Sequence, residues 1–395
     1  MRSAIIAACC CLLASPVFCQ GHLRAEIAGV GNDTVYCMLI PFADTGMVRE
    51  GDADRRMDTL VARDGVFTYT SPAGGPALVI CIPQKAFYKR HGGGLYLPQG
   101  KVMEMVVRPS DQLIATGRLD NDYLTYSVAG SSVDEALASV RKDYKDQDIL
   151  VAQLEEQMDS LRTLVSDTAV LNRLFRARVA VASGILDEKM RYVRQHPDSE
   201  LSAYYLCFAH MPPDWFAAQY PALGDRVRGG IFKGPLIVGY RNYLQYVATK
   251  QSGESLTAGR PAPGFSLPAF DGGTFTLAGT PRNRYVVLDF WGTWCGWCMK
   301  EMPSLRDAYR QYRASVTFVG IACKDDPAKW RRTIASDSLD WTQVLDDPAG
   351  SVAVRYGVQA YPTKVILDKD LKIVGKFVGA DEAFYKKLRE LASKP

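Results

Sequence analysis

Residues 285–298 read YVVLDFWGTWCGWC, and this stretch decides the fold of the C-terminal part of the 395-residue chain. Tyr285 to Phe290 is an apolar run rich in β-branched and aromatic residues, which is typical of a buried parallel strand. The residues after Cys298 are mostly helix formers, so we expect Cys295 where the strand turns into a helix. Free amides and the helix dipole favour a thiolate there and lower the pKa of Cys295. We therefore predict that Cys295 is a nucleophile.

Cys298 lies one helical turn after Cys295, within bonding reach of it. It can resolve a mixed disulfide by attacking Cys295, and the two then close a Cys295–Cys298 disulfide. We expect Cys298 to be the less exposed of the pair. The alternative is half of a zinc site, but zinc takes four ligands and no second C-x-x-C or H-x-x-x-H lies nearby. We therefore predict no metal.

The pattern D-F-W-x-x-W-C-x-x-C, followed by Pro303, resembles the active-site signature of the thioredoxin family. The resemblance implies that Asp289 is a buried acid, which accepts a proton through water when the second cysteine attacks. Burial raises the pKa of a carboxyl group, and this suits a base working near neutral pH. An ordinary aspartate at a strand end is the alternative. The family's proline kinks the helix that follows, and Pro303 stands in its place.

A second segment, Gly357 to Thr363 (GVQAYPT), also resembles this family. The resemblance implies a cis Pro362 against the dithiol, with the preceding backbone free to pair with a substrate chain. Tyr361 then influences the choice of partner. A trans proline that enters an edge strand is the alternative.

The residues around the cysteines refine this resemblance. We assign Trp294 and Trp297 to the substrate-binding surface with Tyr361 and Pro362, although most relatives have proline at the position of Trp297. That departure leaves the redox potential open. Glu301, in C-x-x-C-x-x-E-x-P, fits the TlpA and ResA branch and is a supporting residue together with Pro303.

The front of the chain predicts export. An apolar run from Ala4 to Ala14 is followed by Ser15 to Cys19 and a cut before Gln20, which is the layout of a secretory signal peptide over residues 1–19. A lipid anchor is the weaker alternative. We expect no transmembrane span in the mature chain, and a location in the periplasm or cell envelope. With 47 basic and 43 acidic residues, the chain shows no charge bias that favours nucleic-acid binding.

Composition shifts divide the mature chain into four parts. Residues 20–126 carry short β-type runs and predict an antiparallel β-sandwich, similar to the domain of unknown function that often precedes thioredoxin-like modules in exported bacterial proteins. Residues 127–251 form a helical connector and residues 252–261 a linker. Residues 262–395 are predicted to form an α/β thioredoxin-like domain.

Four further cysteines lie outside the leader and the C-x-x-C pair: Cys37, Cys81, Cys207 and Cys323. Cys37 and Cys81 each lie in an apolar strand-like run, and we favour plain core residues over a disulfide pair. Cys323 follows a strand near the site; we favour a bystander over a third redox thiol.

These observations predict an exported thiol-disulfide oxidoreductase of the protein-disulfide reductase type, which uses no cofactor. The resemblance implies disulfide-bearing envelope proteins as substrates, a membrane electron donor and roles such as cytochrome c maturation. An oxidase or isomerase is one alternative, and an envelope interaction protein with a secondary dithiol is another. A thiol peroxidase would need P-x-x-x-T-x-x-C, and Gly292 stands where that threonine should be.

Overall fold

The computed structural model describes residues 20–42, 56–91, 93–164, 168–209 and 211–393. The chain forms two compact units, Met1–Arg241 and Asn242–Pro395. The predicted signal peptide, residues 1–19, lies outside the described residues.

Unit 1 begins with ten strands within its described part. They are β1 (His22–Ala28), β2 (Thr34–Pro41), β3 (Arg56–Val61), β4 (Val66–Thr70), β5 (Ala77–Pro83), β6 (Tyr88–Lys89), β7 (Leu95–Tyr96), β8 (Met103–Val107), β9 (Gln112–Leu119) and β10 (Leu124–Ala129). Strands β6 and β7 form a short hairpin, and the other eight form two four-stranded sheets.

The two larger sheets of unit 1 differ in strand direction. The sheet β3-β2-β5-β8 is antiparallel throughout. The sheet β10-β9-β1-β4 is mixed, because β1 pairs parallel with β9 and antiparallel with β4. The predicted antiparallel sandwich is therefore wrong for the β1–β9 pair. Parallel neighbours need a long crossover connection, and here seven strands intervene in the sequence between them.

The inward side chains of both sheets form one apolar cluster. In β1, alternation places Leu23, Ala25 and Ile27 inside, while the residues between them are exposed. They pack in the same cluster as Val79 of β5 and Met105 of β8. Burial of this shared core stabilises the two sheets together.

Among the described residues, seven α-helices follow the strands: α1 (Ser132–Val140), α2 (Lys145–Leu164), α3 (Thr168–Gln195), α4 (Glu200–Phe208), α5 (Pro213–Gln219), α6 (Asp225–Arg228) and α7 (Lys233–Ser255). Helix α7 crosses the boundary between the units, so the first four residues of the predicted linker 252–261 are helical. Within unit 2, the end of this helix lies against Gly357, where a Cβ atom would come within 2.3 Å of the Gly253 Cα. This packing explains why a segment rich in glycine and serine continues a helix.

The described part of unit 2 contains seven further strands and four further α-helices. They are β11 (Ser266–Pro268), β12 (Thr274–Thr276), β13 (Tyr285–Trp291), α8 (Gly296–Tyr312), β14 (Val316–Ala322), α9 (Pro327–Ser336), β15 (Thr342–Leu345), α10 (Ser351–Arg355), β16 (Thr363–Leu367), β17 (Ile373–Val378) and α11 (Glu382–Ala392).

The main sheet of unit 2 has the order β15-β14-β13-β16-β17. Strands β13, β14 and β15 are parallel, whereas β16 and β17 are antiparallel to their neighbours. The central strand β13 is buried on both faces, as its continuous apolar run predicted. The chain leaves the carboxyl end of β13 at Trp291 and enters α8 a few residues later, and the site lies at this edge.

None of the helices in the described residues is long and apolar enough to span a membrane.

Candidate active site

Cys295 and Cys298 form a disulfide at the start of α8, with 5.2 Å between their Cα atoms. Cys295 is the N-cap residue of the helix, and the Cys298 amide donates to Cys295 Sγ at 3.1 Å. The sulfur of Cys295 therefore lies where the helix presents a free amide and the positive end of its dipole. Cys295 is 7% exposed and Cys298 is 2% exposed, which is the order that we expected.

A group of buried charges lies beneath the disulfide. Lys364 Nζ is 2.6 Å from Glu301 Oε2 and 3.6 Å from Asp289 Oδ1. The Tyr385 hydroxyl donates to Glu301 Oε1 at 2.9 Å. Strands β13 and β16 place Asp289 directly opposite Lys364 in the sheet, and α8 carries Glu301 one turn after Cys298.

The carboxylate of Asp289 has fewer hydrogen-bond partners than that of Glu301. Its distance to Lys364 is too long for a hydrogen bond, and its Oδ1 has no hydrogen-bond partner among the described residues. Burial raises the pKa of Asp289 to about 6; the charge of Glu301 adds to this, and the charge of Lys364 partly offsets it. A carboxyl group with this pKa exchanges its proton near neutral pH.

Asp289 and Cys298 line the same small space, together with Glu301, Met302, Leu305 and Pro362. This space leaves no room for a water-sized sphere. The proton path through water that the resemblance implied therefore requires some movement of these side chains.

The Tyr361–Pro362 peptide bond is cis, as the resemblance implied. No hydrogen bond joins the backbone of Tyr361 to another residue in the part of the chain that the structure describes. The Tyr361 ring packs edge-on against Trp294, with 5.1 Å between ring centroids. Tyr361 thus contacts the loop before Cys295.

Trp294 and Trp297 form an aromatic surface beside the disulfide. They are 48% and 69% exposed. The Trp294 indole donates to the Cys323 carbonyl at 3.0 Å, and Lys300 Nζ lies 4.8 Å from the Trp297 ring centroid. Exposed tryptophans are uncommon on a surface that binds nothing, because the exposed apolar area is unfavourable.

Helix α8 continues through Pro303, the other supporting residue that we predicted. Proline has no amide proton, so the Met299 carbonyl lacks its usual partner within the helix.

The sequence reasoning missed three residues that hold the site together. Lys364 and Tyr385 complete the buried charge group described above. Asp325 accepts from the Thr293 amide and from the Thr293 hydroxyl, both at 2.6 Å, and so fixes the loop before Cys295. The lysine within the apolar run of β16 was the one available signal, since a lysine there needs a buried partner.

Cys323 is fully buried beside this loop. Burial raises the pKa of its thiol well above the usual value, chiefly by desolvation. A thiol of this kind is a poor nucleophile, which agrees with the bystander that we favoured over a third redox thiol.

Within the described residues, no group of three or more His, Cys, Asp or Glu side chains is arranged to hold a metal ion. The arrangement of the dithiol at a helix start above a buried acid is suited to thiol-disulfide exchange.

Comparison with known proteins agrees with this chemistry. A model of the AhpC/TSA family matches residues 258–376. The thioredoxin-like protein YneN of Bacillus subtilis is 31% identical to this chain over 137 residues, which make up 34% of the chain and 79% of YneN. The chain belongs to the thioredoxin-like thiol-disulfide oxidoreductases.

Two further relatives of this oxidoreductase carry functional names. The thiol-disulfide oxidoreductase ResA of Bacillus anthracis is 29% identical over 143 residues, covering 36% of the chain and 80% of ResA. The thiol:disulfide interchange protein DsbE of Xylella fastidiosa is 34% identical over 121 residues, covering 30% of the chain and 59% of DsbE. A solved thiol-disulfide oxidoreductase from Bacteroides fragilis is 31% identical, with a TM-score of 0.31, over 33% of this chain and 99% of that one.

Proposed function

We propose that this oxidoreductase is exported and reduces disulfide bonds in proteins of the cell envelope, using Cys295 and Cys298 as its redox pair. The observation that supports this most strongly is the position of the pair: Cys295 caps α8, and Asp289 lies beneath Cys298 with a pKa of about 6.

In the first step, the Cys295 thiolate attacks one sulfur of the substrate disulfide. That disulfide breaks, a bond between Cys295 and the substrate forms, and the second substrate sulfur leaves as a thiolate. The amide of Cys298 and the start of α8 favour the thiolate form of Cys295.

In the second step, Cys298 loses its proton and attacks Cys295 Sγ. The bond between Cys295 and the substrate breaks, and the substrate leaves fully reduced while the Cys295–Cys298 disulfide closes. Two electrons have then passed from the enzyme to the substrate. We assign Asp289 as the acceptor of the Cys298 proton, because the two line the same space and the pKa of Asp289 is raised towards neutral pH.

Substrate docking is proposed at the Tyr361 backbone and the aromatic surface. An unpaired amide and carbonyl can bond an extended substrate chain in the manner of an added β-strand. Trp294, Trp297 and Pro362 would then contact apolar side chains that flank the substrate cysteine.

Export and direction belong to the same proposal. The apolar N-terminal segment supports a signal peptide and a periplasmic or envelope location, with a lipid anchor as the weaker form. A reductase outside the cytoplasm must be reduced again after each turnover, so we infer a membrane electron donor. A role in cytochrome c maturation fits this proposal.

The pair itself transfers electrons in the direction that its potential dictates, so oxidation or isomerisation is the nearest competing function. A peroxidase is disfavoured, because Gly292 and Leu288 stand where its signature requires threonine and proline. An interaction protein with a secondary dithiol would show no loss of function when both cysteines are replaced.

Reduction of a disulfide-bonded test protein by the full chain, with dithiothreitol as electron source, tests the proposal. We expect Cys295→Ser to abolish turnover and Cys298→Ser to accumulate a mixed disulfide with the substrate, visible on a non-reducing gel. Cys323→Ser is the matched control and should retain turnover. Normal activity of the Cys295→Ser variant would contradict the mechanism.

A further inference from the structure

A second pair of cysteines lies in unit 1, far along the chain from the redox pair. Strands β2 and β5 are neighbours in the antiparallel sheet β3-β2-β5-β8, and their register places Cys37 directly opposite Cys81. The two sulfur atoms are 3.1 Å apart, and both residues are fully buried in the core that the two sheets share.

This placement agrees with the geometric requirements of a disulfide. Directly opposed residues in antiparallel strands have Cα atoms roughly 4.5 to 5.5 Å apart, within the 4.4–6.8 Å that disulfides span. The sulfur atoms are already closer than the roughly 4 Å of ordinary side-chain contacts. They need approach by only about 1 Å to reach the length of an S–S bond.

We propose that Cys37 and Cys81 form a disulfide bond in the exported protein. This goes beyond the proposed redox function, because it assigns a structural bond to the N-terminal unit. The sequence favoured two plain core residues, and the structure places both cysteines in the core as free thiols. The strand register adds that their sulfur atoms are in contact, which the sequence alone could not show.

The bond requires an oxidant, which we identify as a disulfide-bearing exchange partner of the envelope or, in vitro, oxidised glutathione. One cysteine thiolate attacks the partner's disulfide and forms a mixed disulfide, releasing one partner thiol. The second cysteine attacks that mixed disulfide, closes the Cys37–Cys81 bond and releases the other partner thiol. Two electrons and two protons leave the cysteine pair and reduce the partner.

Burial of the two sulfur atoms limits this exchange to the time before the sheets have closed. Neither sulfur is accessible in the folded unit, and the pKa of Cys81 is raised well above its usual value by its contact with Cys37 and by burial. Thiolates are therefore scarce once the sheets have closed, so the bond forms while the chain folds. After closure the same burial protects the Cys37–Cys81 bond from reductants, including the dithiols that reduce the Cys295–Cys298 pair.

The consequence for the fold is a covalent link between the two central strands of one sheet. The link closes a covalent loop from Cys37 to Cys81, which includes β3 and β4. A disulfide across such a loop stabilises chiefly by restricting the unfolded chain.

Peptide mapping of the full chain tests the proposal directly. The protein is refolded with oxidised and reduced glutathione, free thiols are blocked in denaturant, and trypsin is added without reductant. Cleavage after Arg and Lys leaves Cys37 in residues 25–49 and Cys81 in residues 64–85. We expect these two peptides joined, with a mass lower by two hydrogens than their sum, while Cys207 and Cys323 are recovered blocked. Recovery of Cys37 and Cys81 as blocked thiols would overturn the proposal.

Thermal unfolding gives a second readout. In a Cys295→Ser, Cys298→Ser background, the oxidised protein should have a Tm higher by about 5 °C or more than the same protein refolded with dithiothreitol. Adding Cys37→Ala and Cys81→Ala should remove this difference. Equal Tm values for the oxidised protein and the protein refolded with dithiothreitol, both with Cys37 and Cys81 present, would contradict a bond that links the strands.

Discussion

Lys364 Nζ lies 2.6 Å from Glu301 Oε2, and the two side chains are only 1% and 5% exposed. Burial removes both groups from water, so each charge depends on the other for compensation. The pair lies beneath the disulfide, where it also influences Asp289. The site is therefore built on three charged groups rather than on one isolated acid.

Loss of Lys364 should destabilise unit 2 strongly. The Lys364→Met variant leaves two buried carboxyl groups without a cation, and we expect its unfolding free energy at pH 7 to fall by about 3 to 5 kcal/mol. Urea unfolding followed by tryptophan fluorescence suits the measurement, because five of the six tryptophans lie in unit 2. The control is Lys364→Met with Glu301→Gln, which removes both charges of the pair and should lose less stability than Lys364→Met alone. An equal or larger loss in the double variant would show that the charges are not coupled.

Asp289 should reduce the stability of the fold at neutral pH. Its pKa is raised from 3.8 to about 6 in the folded protein, so the folded state holds the proton more tightly than the unfolded state. Stability therefore falls as pH rises between these two values, and the loss persists above pH 6. We expect Asp289→Asn to raise the unfolding free energy by about 2 to 3 kcal/mol at pH 7. The gain should shrink as pH falls from about 6 and vanish below about pH 4, the unperturbed aspartate pKa, and a gain that is independent of pH would contradict the assignment.

The same group should control the pH dependence of the second chemical step. Release of a mixed disulfide requires ionised Asp289, so the rate should fall as pH decreases through about 6. Stopped-flow measurement of substrate release from a preformed Cys295 mixed disulfide isolates this step. In Asp289→Asn the rate at pH 7 should be roughly 100-fold lower and its decrease near pH 6 absent. Retention of that decrease would assign the titration to another group.

Trp297 should affect the binding of protein substrates more than the chemistry. Its side chain is 69% exposed, so Trp297→Ala should change the unfolding free energy by less than about 0.5 kcal/mol. We expect KM for a disulfide-bonded protein to rise several-fold, with little change for a small disulfide reagent that does not reach the aromatic surface. Phe175→Ala, which removes a 51% exposed aromatic ring in unit 1, is the matched control. An equal effect on both substrates would place Trp297 in the chemistry rather than in docking.

Much of unit 2 could be predicted because its signals are local. The run before Cys295 indicated a buried strand, and the C-x-x-C spacing indicated a disulfide that the structure contains. Lys364 could not be assigned to Asp289 from the sequence, because the cross-strand pairing of β13 and β16 brings them together from distant positions. Pairing depends on register, and register is not visible in either strand alone.

Unit 1 shows the same limit more clearly. The alternation of Leu23, Ala25 and Ile27 is a local strand signal that the sequence contains. Its parallel partner, β9, lies far along the chain, so no local pattern indicates the direction of that pair. The contact between Cys37 and Cys81 likewise follows from strand register and could not be derived from their spacing.

The reduction potential of the Cys295–Cys298 couple tests the central claim most directly. It can be measured by equilibration of the full chain with dithiothreitol, using the fluorescence of Trp294 and Trp297 as reporters beside the disulfide. We predict a value near about −250 mV or lower, as expected for a reductant that depends on a dedicated electron supply. A value near about −120 mV would make the protein an oxidant and contradict the proposed direction of electron transfer.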